Sequence, residues 1–317
     1  MSTARVALAL VTTLSWVALA ASPKPLVIDK KPLKLGISTA YGPEHAAKAK
    51  ALIEPYLSAA LGSTVTVVVV AGYEELSEAL ATGTVDLAWI TPLAFVRASQ
   101  KNSYVQALSK ATRRGDNGLS YRSVFIVKKD SPIQSLSELK GKKVAWVSKF
   151  STSGYLFPRE LVAKENHDPD KFFSSESFEG DHLSVCKAVR EGKADVGATF
   201  AGGVTDATEL KADGCEDAPP ITDFRIIASS GNLPNEVIAV SSDFPQPRLN
   251  DVLGAFGRMG KTEEGKKVLK DAFRCSGWGV AVDGDFAPVL DLLRAKDVKA
   301  LVAPSSGPPS RDRKKSK

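Results

Sequence analysis

Three consecutive hydroxyls and a glycine, Ser151-Thr152-Ser153-Gly154, follow the β-rich run Lys143 to Val147 and open a helical pattern that carries Tyr155, Leu156, Leu161 and Val162. A helix start leaves its first backbone N–H groups without intrahelical partners and carries the positive end of the helix dipole. Hydroxyl donors there, beside a glycine that admits close approach, suit an oxyanion. The plainer reading of the same four residues is that Ser151 or Ser153 caps the helix. His182 follows Phe178-Glu179-Gly180-Asp181 at the head of another helical pattern, where it would be a second donor at the same edge; taken alone it reads as a surface or capping residue. Tyr41, next to Gly42-Pro43, brings a phenol to the equivalent loop of the first half, a placement that also suits turn packing. Near the run Val85 to Ile90 stand Trp89, Thr91 and Phe95, of which Thr91 is expected to donate and an aromatic to wall a pocket; Tyr121 reads as core.

The elements that must position these groups alternate. Strand patterns Leu33 to Ile37, Val65 to Val70 and Val85 to Ile90 are separated by helical patterns Glu44 to Leu61 and Tyr73 to Leu80. A second series has strands Lys143 to Val147, Ala194 to Thr199 and Phe224 to Ala228, with helices Gly154 to Glu165, His182 to Arg190 and Val204 to Ala212. Such alternation predicts α/β layers on a largely parallel sheet, played twice. The two series echo each other most closely between Ala79 to Ala88 and Ala188 to Gly197, where a helix stops at Gly83 or Gly192 and a strand follows. Extended runs Ser123 to Val127 and Glu236 to Val240 are candidate crossings between two lobes, after which helices Arg248 to Met259, Thr262 to Ala272 and Pro288 to Ala295 return to the first. The expected organisation is residues 22–123 and 241–303 in lobe 1 and 124–240 in lobe 2. Ligands in open α/β sheets sit beyond the carboxyl ends of strands, which places a cleft between the lobes.

Composition narrows the setting. Arg5 precedes an uncharged apolar stretch, Val6 to Ala20, with small residues at Ala18 and Ala20, which is the layout of a signal peptide over 1–21 cut near Ala20 or Ala21. The stretch is short for a membrane span, and the absence of a Cys at the cut argues against a lipid anchor, so a periplasmic protein is expected. The formal charge of +6 is concentrated in a tail with five basic residues and one acid, Arg311 to Lys317, expected to be disordered after residue 304. The body is close to neutral and lacks the basic, aromatic-studded face of a nucleic-acid binder. Of the three cysteines, Cys215 and Cys275 are the expected disulfide, with Cys186 a small buried apolar residue.

The run Val144 to Pro158 resembles the STSG-Y-x-x-P motif of phosphate, phosphite and phosphonate receptors of ABC importers. Phe178 to His182, Gly83 to Leu87, Tyr121 to Ser137 and Leu139-Lys140-Gly141-Lys142 resemble further motifs of that family, over roughly Leu33 to Val302. The resemblance implies a type II periplasmic-binding fold whose two lobes close on a small phosphorus oxyanion. Ser151, Thr152, Ser153 and His182 would hold its oxygens, with Tyr41 a weaker match and Thr91 as read above. It also implies a membrane permease as partner, a monomer, and no cofactor or metal. Phe95 stands where many members have Tyr and cannot donate. Members that take aminoalkyl phosphonates use cleft carboxylates, and Ala198 to Gly202 offers none, which disfavours an amine-bearing ligand.

Two other readings compete. A hydrolase would recruit Ser151 or Ser153, His182, and Asp181 or Asp195, but no G-x-S-x-G turn, H-E-x-x-H, phosphate-loop or dinucleotide motif stands in the right context. A receptor for sulfonates or a thiamine precursor, or a periplasmic sensor subunit, would share the two-lobed architecture.

Overall fold

A computed structural model describes residues 31–113, 118, 120–202, 210–216 and 221–294. The leader, the basic tail and most of the helix expected over Val204 to Ala212 lie outside these residues. In chain order the first part contains β1 (Leu33–Ser38), α1 (Pro43–Leu61), β2 (Val65–Val70), α2 (Tyr73–Ala81), β3 (Leu87–Ile90), α3 (Pro92–Lys101) and β4 (Gln106–Thr112). Then come β5 (Ser120–Lys128), β6 (Lys143–Trp146), a wide helical turn (Thr152–Leu156) running into α4 (Phe157–Lys164), α5 (Pro169–Phe172), β7 (Ser175–Phe178), α6 (His182–Arg190) and β8 (Val196–Gly202). The rest is β9 (Phe224–Ser229), β10 (Leu233–Pro234), β11 (Val237–Val240), α7 (Leu249–Arg258), α8 (Glu263–Asp271), β12 (Gly277–Val280) and α9 (Ala287–Arg294).

The strands form two sheets. The first has the order β12-β4-β11-β3-β1-β2; the second runs β10-β5-β8-β6-β7, with β9 also on β5. Each begins with three parallel strands, β2-β1-β3 and β7-β6-β8, because a helix crosses over between them. The next neighbour is antiparallel in both cases: β11 beside β3 and β5 beside β8. The sheets are therefore mixed rather than largely parallel, since each receives a reversed strand where the chain returns from the other. The chain passes between sheets after Thr112 and again between Pro234 and Val237. Ser123–Val127 and Val237–Val240 are thus strands inside sheets rather than free crossings, and β11, expected in the second lobe, pairs with β3 and β4 of the first sheet. Its four residues, all buried, have the composition of a central strand.

The internal echo has a structural basis. Gly83 and Gly192 take φ of 71° and 74°, the left-handed conformation that stops α2 and α6. Three residues on, Asp86 Oδ2 accepts the N–H of Lys34 at 2.7 Å and Asp195 Oδ2 accepts that of Lys143 at 2.9 Å. Each aspartate also returns its own N–H to the carbonyl of the same lysine. The Gly-x-x-Asp pattern thus ties each sheet's third parallel strand to the start of its middle strand.

The largest apolar cluster takes residues from both halves, among them Leu93, Phe95 and Val237 with Leu156, Val185 and Phe200, so the two sheets are packed against each other. The disulfide is Cys186–Cys215, not Cys215–Cys275. Cys186 on the inner face of α6 meets the turn at Asp213–Cys215, whereas Cys275 is buried in a separate cluster with Phe256 and Phe273 and is a free thiol. Burial pushes that thiol up to about 12.

Candidate functional site

Beyond the end of β6 the chain turns and starts the helical segment at Thr152. Gly154 packs directly on Val147: a Cβ there would lie 2.7 Å from Val147 Cβ and closer still to its Cγ2, so only glycine fits. Ser151 Oγ accepts the Gly154 N–H at 2.9 Å, so the capping role is filled by this residue. The Thr152 hydroxyl reaches across to the other sheet, where its Oγ1 accepts the N–H of Leu93 at 3.0 Å. Leu93 is the second residue of α3, whose start is set by Pro92 and by Thr91, the hydroxyl of which accepts from Ala94. Two helical starts from different sheets therefore face each other, their positive ends bridged by one hydrogen bond. The Ser153 carbonyl accepts from Ser123 Oγ at 2.7 Å, and the Tyr121 ring is buried nearby, edge-on to Phe200 at 6.2 Å. Ser151, Thr152 and Ser153 are all buried, at 3% exposure or less.

His182 opens α6, and its backbone N–H meets the carbonyl of Ala40 at 3.3 Å, a second bond between the two halves. Its Nδ1 lies 2.9 Å from Thr199 Oγ1, and the ring meets Phe200 edge-on at 4.9 Å. Burial lowers the imidazole to about 3; Glu236 opposes this, and Arg274 and Arg113 add to it. The ring is neutral in neutral solution and offers hydrogen bonds, not charge. Tyr41 is 6.2 Å away between ring centres, stacked on Trp89 at 5.8 Å and covered by the Arg274 guanidinium at 5.0 Å. Its hydroxyl donates to Glu236 Oε1 at 3.0 Å, and burial together with that carboxylate raises the phenol well above its ordinary value.

Glu236 and Arg113 were not singled out from sequence. Arg113 Nη2 donates to Glu236 Oε2 at 2.6 Å and Nη1 to Asn235 Oδ1 at 2.7 Å, while Asn235 Nδ2 donates to the carbonyls of Ala111 and Gly118. Burial alone would raise the Glu236 carboxyl, but Arg113, with hydrogen bonds from Arg113 and Tyr41, outweighs it and holds it below the usual range. The one available signal was position: both residues stand where the chain passes from one sheet to the other. Arg113 sits in a polar, glycine-containing stretch that reads as a solvated turn. Ala198 to Gly202 carries no carboxylate, and the buried one beside Tyr41 and Arg113 comes from another segment, at Glu236.

An open cleft of about 1310 Å³ adjoins the cluster, walled by Tyr41, His45, Lys48, Arg113, Asp181 and Arg274 among others. The hydroxyl run, Thr91 and His182 do not line it. Phe200 does, and it also packs on Tyr41, Tyr121 and His182, so an aromatic screen separates the cleft from the buried donors. Phe95 is buried against Phe286, 4.5 Å away, and serves packing. The groups of the hydrolase reading are not brought together: His182 Nδ1 faces Thr199, Asp181 caps α6 through Ser184, and Asp195 is held on Lys143.

The profile of the family described as "ABC transporter, phosphonate, periplasmic substrate-binding protein" matches residues 35–286. The chain is 30% identical over 167 residues to the phosphate-import protein PhnD of Mycolicibacterium smegmatis, covering 50% of this chain and 52% of that protein, so the match spans about half of that relative's length. It is 26% identical over 250 residues to the phosphonates-binding periplasmic protein of Escherichia coli, covering 76% of this chain and 70% of the other. In fold it is similar to PhnD1 of Prochlorococcus marinus in complex with methylphosphonate, with a TM-score of 0.71, 20% identity, and coverage of 84% of this chain and 98% of the other.

Proposed function

This chain belongs to the family of periplasmic substrate-binding proteins of phosphonate ABC transporters, and on that footing we propose that it captures a small phosphorus oxyanion (a phosphonate, phosphite or phosphate) and delivers it to a membrane permease. The observation that carries the reading is the pair of facing helical starts, with the Leu93 amide and the Thr152 hydroxyl satisfying each other across the two sheets. Two positive helix ends pointed at one another are a poor arrangement by themselves and a good one around an anion.

In this reading each sheet is the base of one lobe, with the passages of the chain after Thr112 and at residues 235–236 as the hinge. The lobes part, a phosphoryl group enters between the two helical starts, and the lobes close again. Ser151, Thr152 and Ser153 with the first amides of their turn, and His182 from the head of α6, take the oxygens from one side; Leu93 N–H and the residues near Thr91 and Tyr41 take them from the other. Each charge-assisted hydrogen bond in such a dry site contributes about 1.5–3 kcal/mol. His182, held neutral, donates from one ring nitrogen without repelling or protonating the ligand.

A thermal-shift screen across phosphate, phosphite, methylphosphonate, 2-aminoethylphosphonate, sulfate and taurine tests this. At least one phosphorus anion is expected to stabilise the protein, by about 2.7 kcal/mol at a hundredfold excess over Kd. Stabilisation by sulfate or taurine with no response to any phosphorus compound would remove the proposal in favour of a sulfur-oxyanion receptor.

A further inference from the structure

A carboxylate buried inside an anion receptor is out of place: alone, Glu236 would repel an arriving anion and attract an ammonium group. At 9% exposure it is shielded from bulk water, so its charge acts at close range. Both of its oxygens are taken, however: Oε2 by Arg113 Nη2 at 2.6 Å and Oε1 by the Tyr41 hydroxyl at 3.0 Å. Arg113 is not a loose surface cation that happens to reach it. Its side chain is 11% exposed, its second nitrogen is fixed on Asn235 Oδ1, and Asn235 is fixed in turn on the backbone at Ala111 and Gly118. Its guanidinium also lies 5.9 Å from the ring centres of Tyr121 and Phe200, the aromatics that screen the hydroxyl run. A further cation in the same wall, Arg274, is stacked on Tyr41 and paired with Glu216.

Resting on the receptor reading above, we propose that Arg113 is a specificity-determining residue: by occupying the Glu236 carboxylate it closes the pocket to phosphonates with an ammonium tail and sets it for ligands whose tail carries no positive charge. An ammonium group entering beside Glu236 would meet the Arg113 charge at once, and each carboxylate oxygen it reached would already be accepting a hydrogen bond. Conversely, an uncharged methyl or hydrogen on phosphorus asks nothing of Glu236, whose negative charge is already balanced. The arrangement is a matched pair, so removing the cation alone unmasks the carboxylate.

The test compares methylphosphonate and 2-aminoethylphosphonate by isothermal titration on the mature protein and on Arg113→Met, Arg113→Lys and the double variant Arg113→Met/Glu236→Gln. The wild type is expected to prefer methylphosphonate by at least tenfold. Arg113→Met should shift the ratio of the two dissociation constants toward the amine by at least tenfold, the double variant should cancel that shift, and Arg113→Lys should keep the wild-type ratio. Equal affinity of the wild type for both compounds overturns the inference whatever the variants do, and so does a folded Arg113→Met with an unchanged ratio. If Arg113→Met does not fold, Arg113→Gln, which can still hydrogen-bond Glu236 but carries no charge, takes its place, and an unchanged ratio there overturns the inference. Binding of neither compound would instead strike at the receptor reading itself, and this inference would fall with it.

Discussion

Replacing both Cys186 and Cys215 with alanine removes the one covalent tie within the second sheet's layer of helices. The bridge spans a sequence separation of 29 residues, for which the loop-entropy relation gives about 3.6 kcal/mol at 25 °C. For a chain of this size each kcal/mol corresponds to roughly 2–4 °C in Tm. The double variant, or wild type under reductant, is therefore expected to melt about 7–14 °C lower. The loss has a local side too: the bridge pins the turn Asp213–Cys215 to α6, and Asp213 accepts the N–H of Gly202 at the cleft wall. Urea titrations with and without reductant measure the difference, and Cys275→Ala is the control, losing only the packing of one buried sulfur. Alkylation of the denatured, unreduced protein should label one thiol, at Cys275. An unchanged urea midpoint on reduction, or a label at Cys186, would refute the reasoning.

Other expectations follow from the same contacts. Glu236→Gln strands Arg113 as a buried charge and should cost about 3–5 kcal/mol, most of it recovered when Arg113→Met is added, as a double-mutant cycle by urea denaturation will read. His182 binds a proton far less readily folded than unfolded, its pKa lying at about 3 against 6.5. Its contribution is therefore harmless above about pH 6.5 and is lost progressively toward pH 3, at up to about 1.4 kcal/mol per pH unit. Glu236, held low, adds a loss of the same sign at acid pH, so the difference between wild type and His182→Asn isolates the imidazole in stability-against-pH curves. Gly154→Ala forces its new methyl into Val147 and should cost about 1–3 kcal/mol in chemical denaturation, partly relieved by adding Val147→Ala.

What the chain discloses on reading, and what it withholds, divides along local against long-range causes. The β2 residues Val65 to Val70 and the α6 residues His182 to Arg190 carry their period and caps in their own composition, and the Gly-x-x-Asp repeat announces two similar halves. By contrast β4 (Gln106–Thr112) is half polar and β7 (Ser175–Phe178) is exposed along its length, so neither shows the apolar alternation that marks a strand. The hydroxyl run at Ser151 was visible because a helix start is a local feature. That Thr152 bonds Leu93, that Glu236 answers Arg113 across 123 residues, and that Cys215 finds Cys186 were not, because each depends on how the two sheets pack.

The most direct test is a crystal structure with methylphosphonate. Its oxygens are expected between the two helical starts, accepting from Leu93 N–H and from the Thr152 hydroxyl in place of their present 3.0 Å bond. A ligand lying in the open cleft against Lys48 or Arg274, with the Leu93–Thr152 bond intact, would contradict the account.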